Sequence, residues 1–150
     1  MTDRAFAEAN AAATERLRAL AATLSEADLG ADLGEGWTVS MALAHLAFWD
    51  RWHLSRWEHA LAAGAVAPIA VPDEVSDRAN DALEPLWRAL APGRAVALAL
   101  EAADAVDARV ARLPDASVEA ARALGGARWV ERSLHRTDHV EQIRRALGRD

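Results

Sequence analysis

The chain has 150 residues, and this length can bury a core without disulfides, so we expect a single domain over residues 1–150. Its formal charge of −6 argues against a nucleic-acid-binding protein, which would carry a basic patch. Cysteine, lysine and tyrosine are absent, so any bound metal has nitrogen and oxygen ligands, and lysine Schiff-base chemistry is excluded.

The N-terminal segment predicts one long helix and one short helical turn. An apolar stripe begins at Phe6 and recurs in three- and four-residue steps, which predicts a helix over about residues 3–24. Ser25, with Asp28 three residues later, predicts a capped extra turn. Glycines then interrupt the chain before the next helix.

A second long helix and a polar segment follow. Thr38 can cap a helix that extends to about Ala63 and ends at Gly64. The next segment contains Asn80 and Pro85, and its polarity and proline predict only one or two short helical pieces.

The C-terminal half predicts two more long helices. Apolar residues step by three and four from about Gly93, and Pro114 closes this third helix. We expect the last helix over about residues 127–147. No stretch alternates as a β-strand would. The whole pattern predicts an all-α four-helix bundle, a fold that often holds metal sites between facing helices.

Two histidines near the C-terminus are one helical turn apart. His135 and His139 have the i, i+4 spacing that places two imidazoles on the same helix face, where they can bind one cation. Such a pair also arises by chance, so a solvated polar face is the alternative interpretation.

His45 is the candidate third ligand because it lies on an apolar helix face. Its helical neighbours are Met41, Phe48, Trp49 and Trp52. An imidazole in such surroundings needs a partner for its ring nitrogens, and a core hydrogen bond or a metal ion could supply it. His53 and His59 are excluded from a site with His45, because the helix rise separates them from it by about 12 and 21 Å.

Three segments resemble the DinB-like (YfiT-type) superfamily, which includes the mycothiol-dependent maleylpyruvate isomerases and related thiol transferases. They are GWTVSMALAHLAFWDRW from Gly36, DRANDAL from Asp77 and LHRTDHVEQIRRAL from Leu134. The resemblance implies a four-helix bundle of this type in which His45, His135 and His139 bind one divalent metal ion. Zinc, nickel and iron all accept imidazole ligands.

The resemblance also implies a metal-dependent enzyme that transfers or activates a low-molecular-weight thiol, such as mycothiol or bacillithiol, toward an electrophilic substrate. Glu131 and Asp138 are the candidate catalytic residues, because they lie on the side of the last helix from which they can orient a ligand or move a proton. Surface pairing with arginines is their alternative role. Trp49 and Trp52 are candidate walls of the thiol pocket, with core packing as the alternative.

Other functions stay open. The HRTDH segment also resembles the HxxEH helix of inverted zinc peptidases, but those enzymes take a further ligand from well downstream, and only 11 residues follow His139. A hydrolase that uses a metal-bound water and a non-catalytic metal- or ligand-binding protein are the two alternatives.

The N-terminus has no continuous apolar segment, so we expect a cytoplasmic protein with no signal peptide and no membrane partner. A homodimer is compatible with the sequence.

Overall fold

The computed structural model describes residues 1–66 and 71–149, which are mostly helical. The elements within those ranges are α1 (Ala5–Ala21), α2 (Glu26–Leu29), β1 (Asp32–Gly34), β2 (Trp37–Thr38), α3 (Val39–Ala63), α4 (Asp73–Ala89), α5 (Pro92–Val110), α6 (Asp115–Ala123), a 3₁₀ turn (Ala127–Trp129) and α7 (Ser133–Ala146). The prediction of a mainly helical protein is confirmed. Within the same ranges, no helix is long and apolar enough to cross a bilayer.

Four helices contact one another in a closed cycle. Helix α3 packs against α5 and α7, and α1 packs against the same two helices. Helix α4 lies against α3. This arrangement places the N-terminal half of α3 beside the start of α7, and these two parts of the chain carry His45 and His135.

The core consists of two apolar clusters with polar residues between them. One cluster includes Leu17, Met41, Leu43, Ala99 and Ile143, and the other includes Phe6, Trp57, Val106, Val118 and Val130. Along α1, Asn10 and Thr14 come between residues of the two clusters, and along α3 Asp50 does so. The buried polar residues of the long helices therefore lie in one layer between the two apolar clusters.

The start of α2 and both ends of α3 follow the expected local signals. Ser25 and Asp28 form a capping box at α2, as expected from their spacing. The Thr38 hydroxyl accepts a hydrogen bond from the backbone N–H of Met41 at 3.3 Å, and Gly64 ends α3 in a left-handed conformation with φ 68°. These caps confirm the predicted bounds of the second long helix.

The expectation of no β-strand was wrong. Residues 32–38 form a small antiparallel pair, β1 with β2, and positive φ angles occur at Gly34, Glu35 and Gly36, where the chain reverses. Glycine adopts these backbone conformations without steric cost. The paired segments have only two and three residues, which is too short to show an alternating pattern.

Helix α4 also departs from the prediction. It is one helix of 17 residues rather than one or two short pieces, and Pro85 lies inside it. Proline removes one backbone hydrogen bond. Trp87 on the same helix is 4% exposed and packs in the core, and this burial offsets the loss.

Two differences concern the C-terminal third of the chain. Helix α6, which follows Pro114, was not predicted. The last helix was expected from about residue 127, but α7 begins only at Ser133, after the 3₁₀ turn and a short irregular segment. The later start of α7 coincides with a contact between its first backbone N–H groups and Asn10 of α1.

Candidate metal centre

The start of α7 is capped by a side chain from the other end of the sequence. Asn10 of α1 is fully buried, and its Oδ1 accepts hydrogen bonds from the backbone N–H groups of Arg132 and Ser133 at 2.8 and 3.0 Å. Its Nδ2 donates to the carbonyl of Val130 at 2.7 Å. Because the first N–H groups of a helix have no partner within the helix, this contact determines where α7 begins.

A buried ionic network then joins α7 to α3 and α5. The carboxylate of Asp50 accepts hydrogen bonds from Nε of Arg132 at 2.9 Å and from Nε of Arg136 at 3.0 Å. Arg136 also donates to both carboxylate oxygens of Asp107, at 2.9 and 2.8 Å. Two cations and two anions balance one another, and each buried charge has hydrogen-bonded partners. The network therefore holds the first turn of α7 against α3.

With α7 placed in this way, the structure brings His45, His135 and His139 together. Nε2 of His45 lies 2.9 Å from Nε2 of His135. The His139 ring centroid is 4.9 Å from that of His45 and 5.0 Å from that of His135. Each ring has one nitrogen atom that lies within 4.8 Å of a nitrogen atom of both other rings.

These distances suit three ligands of one metal ion. Two nitrogens bound about 2.1 Å from one ion are about 3.0–3.4 Å apart for angles between 90 and 109°. The 2.9 Å separation of His45 and His135 is close to that range, and a small movement of His139 would complete the set. Three imidazoles leave at least one coordination position for another ligand.

Burial favours the neutral form of all three histidines. Burial lowers the pKa of His45 to about 3, and nearby His139 and Arg132 contribute to the decrease. Burial also lowers the pKa of His135, together with the positive charge of Arg132, and it lowers the pKa of His139 against opposing effects of Gln142 and Asp138. Protons therefore do not compete strongly with a metal ion for these rings.

Each histidine of the group has different surroundings. Nδ1 of His139 lies 2.9 Å from Oε1 of Gln142, whereas Nδ1 of His135 lies 3.2 Å from Nη2 of Arg132. Nδ1 of His45 is buried and has no hydrogen-bond partner among the described residues. The nearby side chain of Asn80 nevertheless acts to raise the pKa of this ring, against the larger effect of burial. Trp37 and Trp87 pack edge-on against His45, at centroid distances of 5.1 and 5.4 Å.

A cavity of about 560 Å³ lies beside the group, and His45 and His135 are part of its wall. All four of the other residues singled out in the sequence also line it: Trp49, Trp52, Glu131 and Asp138. The Trp49 indole donates to Oδ1 of Asn80 at 3.0 Å, and Trp52 is 40% exposed. Neither carboxylate forms an ion pair within the described ranges, so the arginine pairing considered as their alternative is not observed.

Several residues of this region were not found from the sequence. Asn10, Asp50 and Arg136 do not touch the cavity, and nothing in the local pattern distinguishes them from surface polar residues. His53 was excluded as a ligand, and it lies outside the three-histidine group. It nevertheless lines the same cavity, and its Nδ1 is buried with no hydrogen-bond partner among the described residues.

Comparisons with protein-family models, curated proteins and solved structures found no match for this chain. The resemblance to the DinB-like superfamily therefore rests on the three sequence segments alone.

We expect His53→Ala and His59→Ala to leave the metal content of the purified protein unchanged. His59 is exposed, and its Nδ1 lies 2.8 Å from the carbonyl oxygen of its own helix neighbour Ser55, while His53 lies two turns from His45. Metal analysis of the two variants, with His45→Ala as the positive control, tests this. Loss of metal from either variant would show that the ligand set is wrong.

Proposed function

We propose that this protein is a metal-dependent enzyme that activates a small thiol toward an electrophilic substrate, by S-transfer or isomerisation. We also propose that its helices form a four-helix bundle of the DinB/YfiT type. The observation that carries the function is the convergence of His45, His135 and His139 at the wall of a cavity. The closed cycle of contacts among α1, α3, α5 and α7 supports the bundle.

A divalent ion held by three neutral imidazoles keeps its full charge and an open position, and it would supply the Lewis acidity that favours the thiolate form of a bound thiol. The residues of the chain have separate tasks in this proposal. The three histidines hold the ion. Glu131 or Asp138 accepts the proton that the thiol loses and returns it to the product, so that the proton balance of the reaction closes.

The shape of the region supports a reaction with two substrates. A second, largely apolar cavity of about 340 Å³ shares Trp52 and Arg56 with the first. Trp49 and Trp52 present aromatic surface to the first cavity, which suits the apolar part of a ligand. A thiol such as mycothiol or bacillithiol and its electrophilic partner would each have a site, whereas hydrolysis needs room for one organic substrate only.

We expect metal-loaded protein to show thiol-dependent turnover. Protein loaded with zinc, nickel or iron would be screened with mycothiol, bacillithiol and glutathione against a panel of electrophiles, and in parallel against esters, amides and lactones without thiol. His135→Ala should remove the activity, and Asp104→Asn, which changes an exposed residue that lines neither cavity, should keep it.

The outcomes of this screen separate the candidate functions. Thiol-dependent turnover that disappears in His135→Ala supports the transferase or isomerase. Metal-dependent hydrolysis that does not respond to any thiol would replace it with the hydrolase. Inactivity of fully metallated protein in both screens would replace it with a non-catalytic metal- or ligand-binding protein.

A further inference from the structure

The guanidinium group of Arg132 contacts His135, one member of the three-histidine group. Its Nη2 lies 3.2 Å from Nδ1 of His135, while its Nε donates to Asp50 and its Nη1 to the carbonyl of Arg128. An arginine side chain has hydrogen-bond donors only. In this contact Nδ1 of His135 must therefore be the acceptor, so it carries a lone pair and no proton.

This contact determines the tautomer of His135. A neutral imidazole has one N–H group, so the proton of His135 is on Nε2, which lies 2.9 Å from Nε2 of His45. His135 then donates to His45. A metal ion binds a ring nitrogen through its lone pair, and Nε2 of His135 has none available in this arrangement.

His139 has the opposite arrangement. Its Nδ1 faces the amide oxygen of Gln142, which can only accept, so the proton is on Nδ1 and Nε2 has the free lone pair. Histidines that bind metals usually donate their second N–H to an acceptor in this way. The Nδ1 atoms of the two α7 histidines thus have opposite partners, an acceptor for His139 and a donor for His135.

We propose that Arg132 is a positioning residue that holds His135 in the tautomer unable to bind a metal ion through Nε2, and that it thereby weakens the affinity of the three-histidine group. Binding through Nε2 requires the proton of His135 to be on Nδ1, opposite the guanidinium donor. The contact between Arg132 and His135 must then break. This inference rests on the proposed metal site, but its first test does not require metal.

The first test measures the tautomers directly in the metal-free, full-length protein. Long-range ¹H–¹⁵N correlation spectra of imidazole nitrogens distinguish a ring protonated at Nε2 from one protonated at Nδ1. We expect Nε2–H for His135 and Nδ1–H for His139 in the same spectrum. A proton on Nδ1 of His135 would overturn the proposal, whatever the protein does with metals.

The second test compares zinc affinity in two matched variants, measured by competition with a chromophoric chelator. Arg132→Gln and Arg136→Gln each remove one cation and one contact with Asp50, and Arg136→Gln also removes the contacts with Asp107. Only Arg132→Gln removes the guanidinium donor opposite His135. A charge-assisted hydrogen bond corresponds to about a tenfold to hundredfold change in affinity. We expect tighter binding of about this size in Arg132→Gln, relative to both wild type and Arg136→Gln.

A residue with a merely structural role would give the opposite sign, because loosening the start of α7 can only weaken the site. Equal or weaker zinc binding by Arg132→Gln would therefore overturn the proposal. Should the glutamine variants fold poorly, the tautomer spectrum of the wild-type protein decides the matter. Failure of the wild-type protein to bind zinc would count against the proposed function alone.

Discussion

His45→Ala is expected to abolish the binding of one divalent metal ion per chain. Removing a residue that merely supports a metal ligand typically costs about 10–100-fold in affinity, so loss of one of three ligands should exceed about a hundredfold. His135→Ala and His139→Ala should behave alike. Metal analysis of protein purified without an affinity tag, followed by zinc and nickel titrations, provides the measurement.

The tryptophans offer a direct readout of this binding. The Trp37 and Trp87 rings lie within 5.4 Å of the His45 ring, and a paramagnetic ion such as Ni²⁺ in the group should quench their fluorescence. Metal at about a hundredfold above its Kd should add roughly 2.7 kcal/mol of stability, which raises Tm by about 5–10 °C. The metal-free protein should stay folded because its two apolar clusters are built from side chains that pack without the ion.

His59→Ala is the matched control for these titrations, because it removes an exposed imidazole from the same helix as His45. Wild-type protein that binds neither zinc nor nickel would refute the metal site. So would a His45→Ala variant that binds as tightly as wild type.

Asp50→Asn is expected to lower the free energy of unfolding by about 3–5 kcal/mol, the usual cost of removing one partner from a buried ionic group. Asp50 is 1% exposed and pairs with Arg132 and Arg136, whose side chains are 5% and 0% exposed. With asparagine, Asp107 alone would remain as an anionic partner for two buried cations. Urea unfolding followed by circular dichroism gives the free energy and the m-value.

Asp104→Asn is the control for this prediction. Asp104 forms an ion pair with Arg18 in which the two side chains are 56% and 42% exposed, and exposed pairs contribute only about 0–1 kcal/mol. The two variants therefore make the same chemical change in a buried and an exposed setting. If both lose a similar, small amount of stability, the network of Asp50 is not the structural link inferred here.

The local features of the chain were largely predictable. Helix α3 has the predicted bounds because a threonine cap and a terminal glycine act within a few residues of the backbone that they stabilise. The spacing of His135 and His139 also predicted that they share one helix face, because an α-helix repeats every 3.6 residues. Prediction failed where packing overrides a local signal, as at Pro85 within α4.

The candidate site was predictable only in part. Its three histidines could be selected, because two share a helix face and the third is an imidazole on an apolar face. The distances between the three histidines could not be predicted, because they depend on how α3 packs against α7. His53 lies outside the three-histidine group, but its place in the cavity wall follows from packing between helices rather than from its spacing to His45.

The sequence by itself determined the helical class of this protein, the caps of α2 and α3 and the choice of the three candidate histidines, because these depend on residue types and on interactions between residues close in the chain. Only the tertiary structure decided where α7 begins and which groups face His135. Asn10 caps α7 from 122 residues away, and Asp50 binds Arg132 across 82 residues. Such contacts form when buried polar groups must find partners in the assembled core, and no local pattern records which partner that will be.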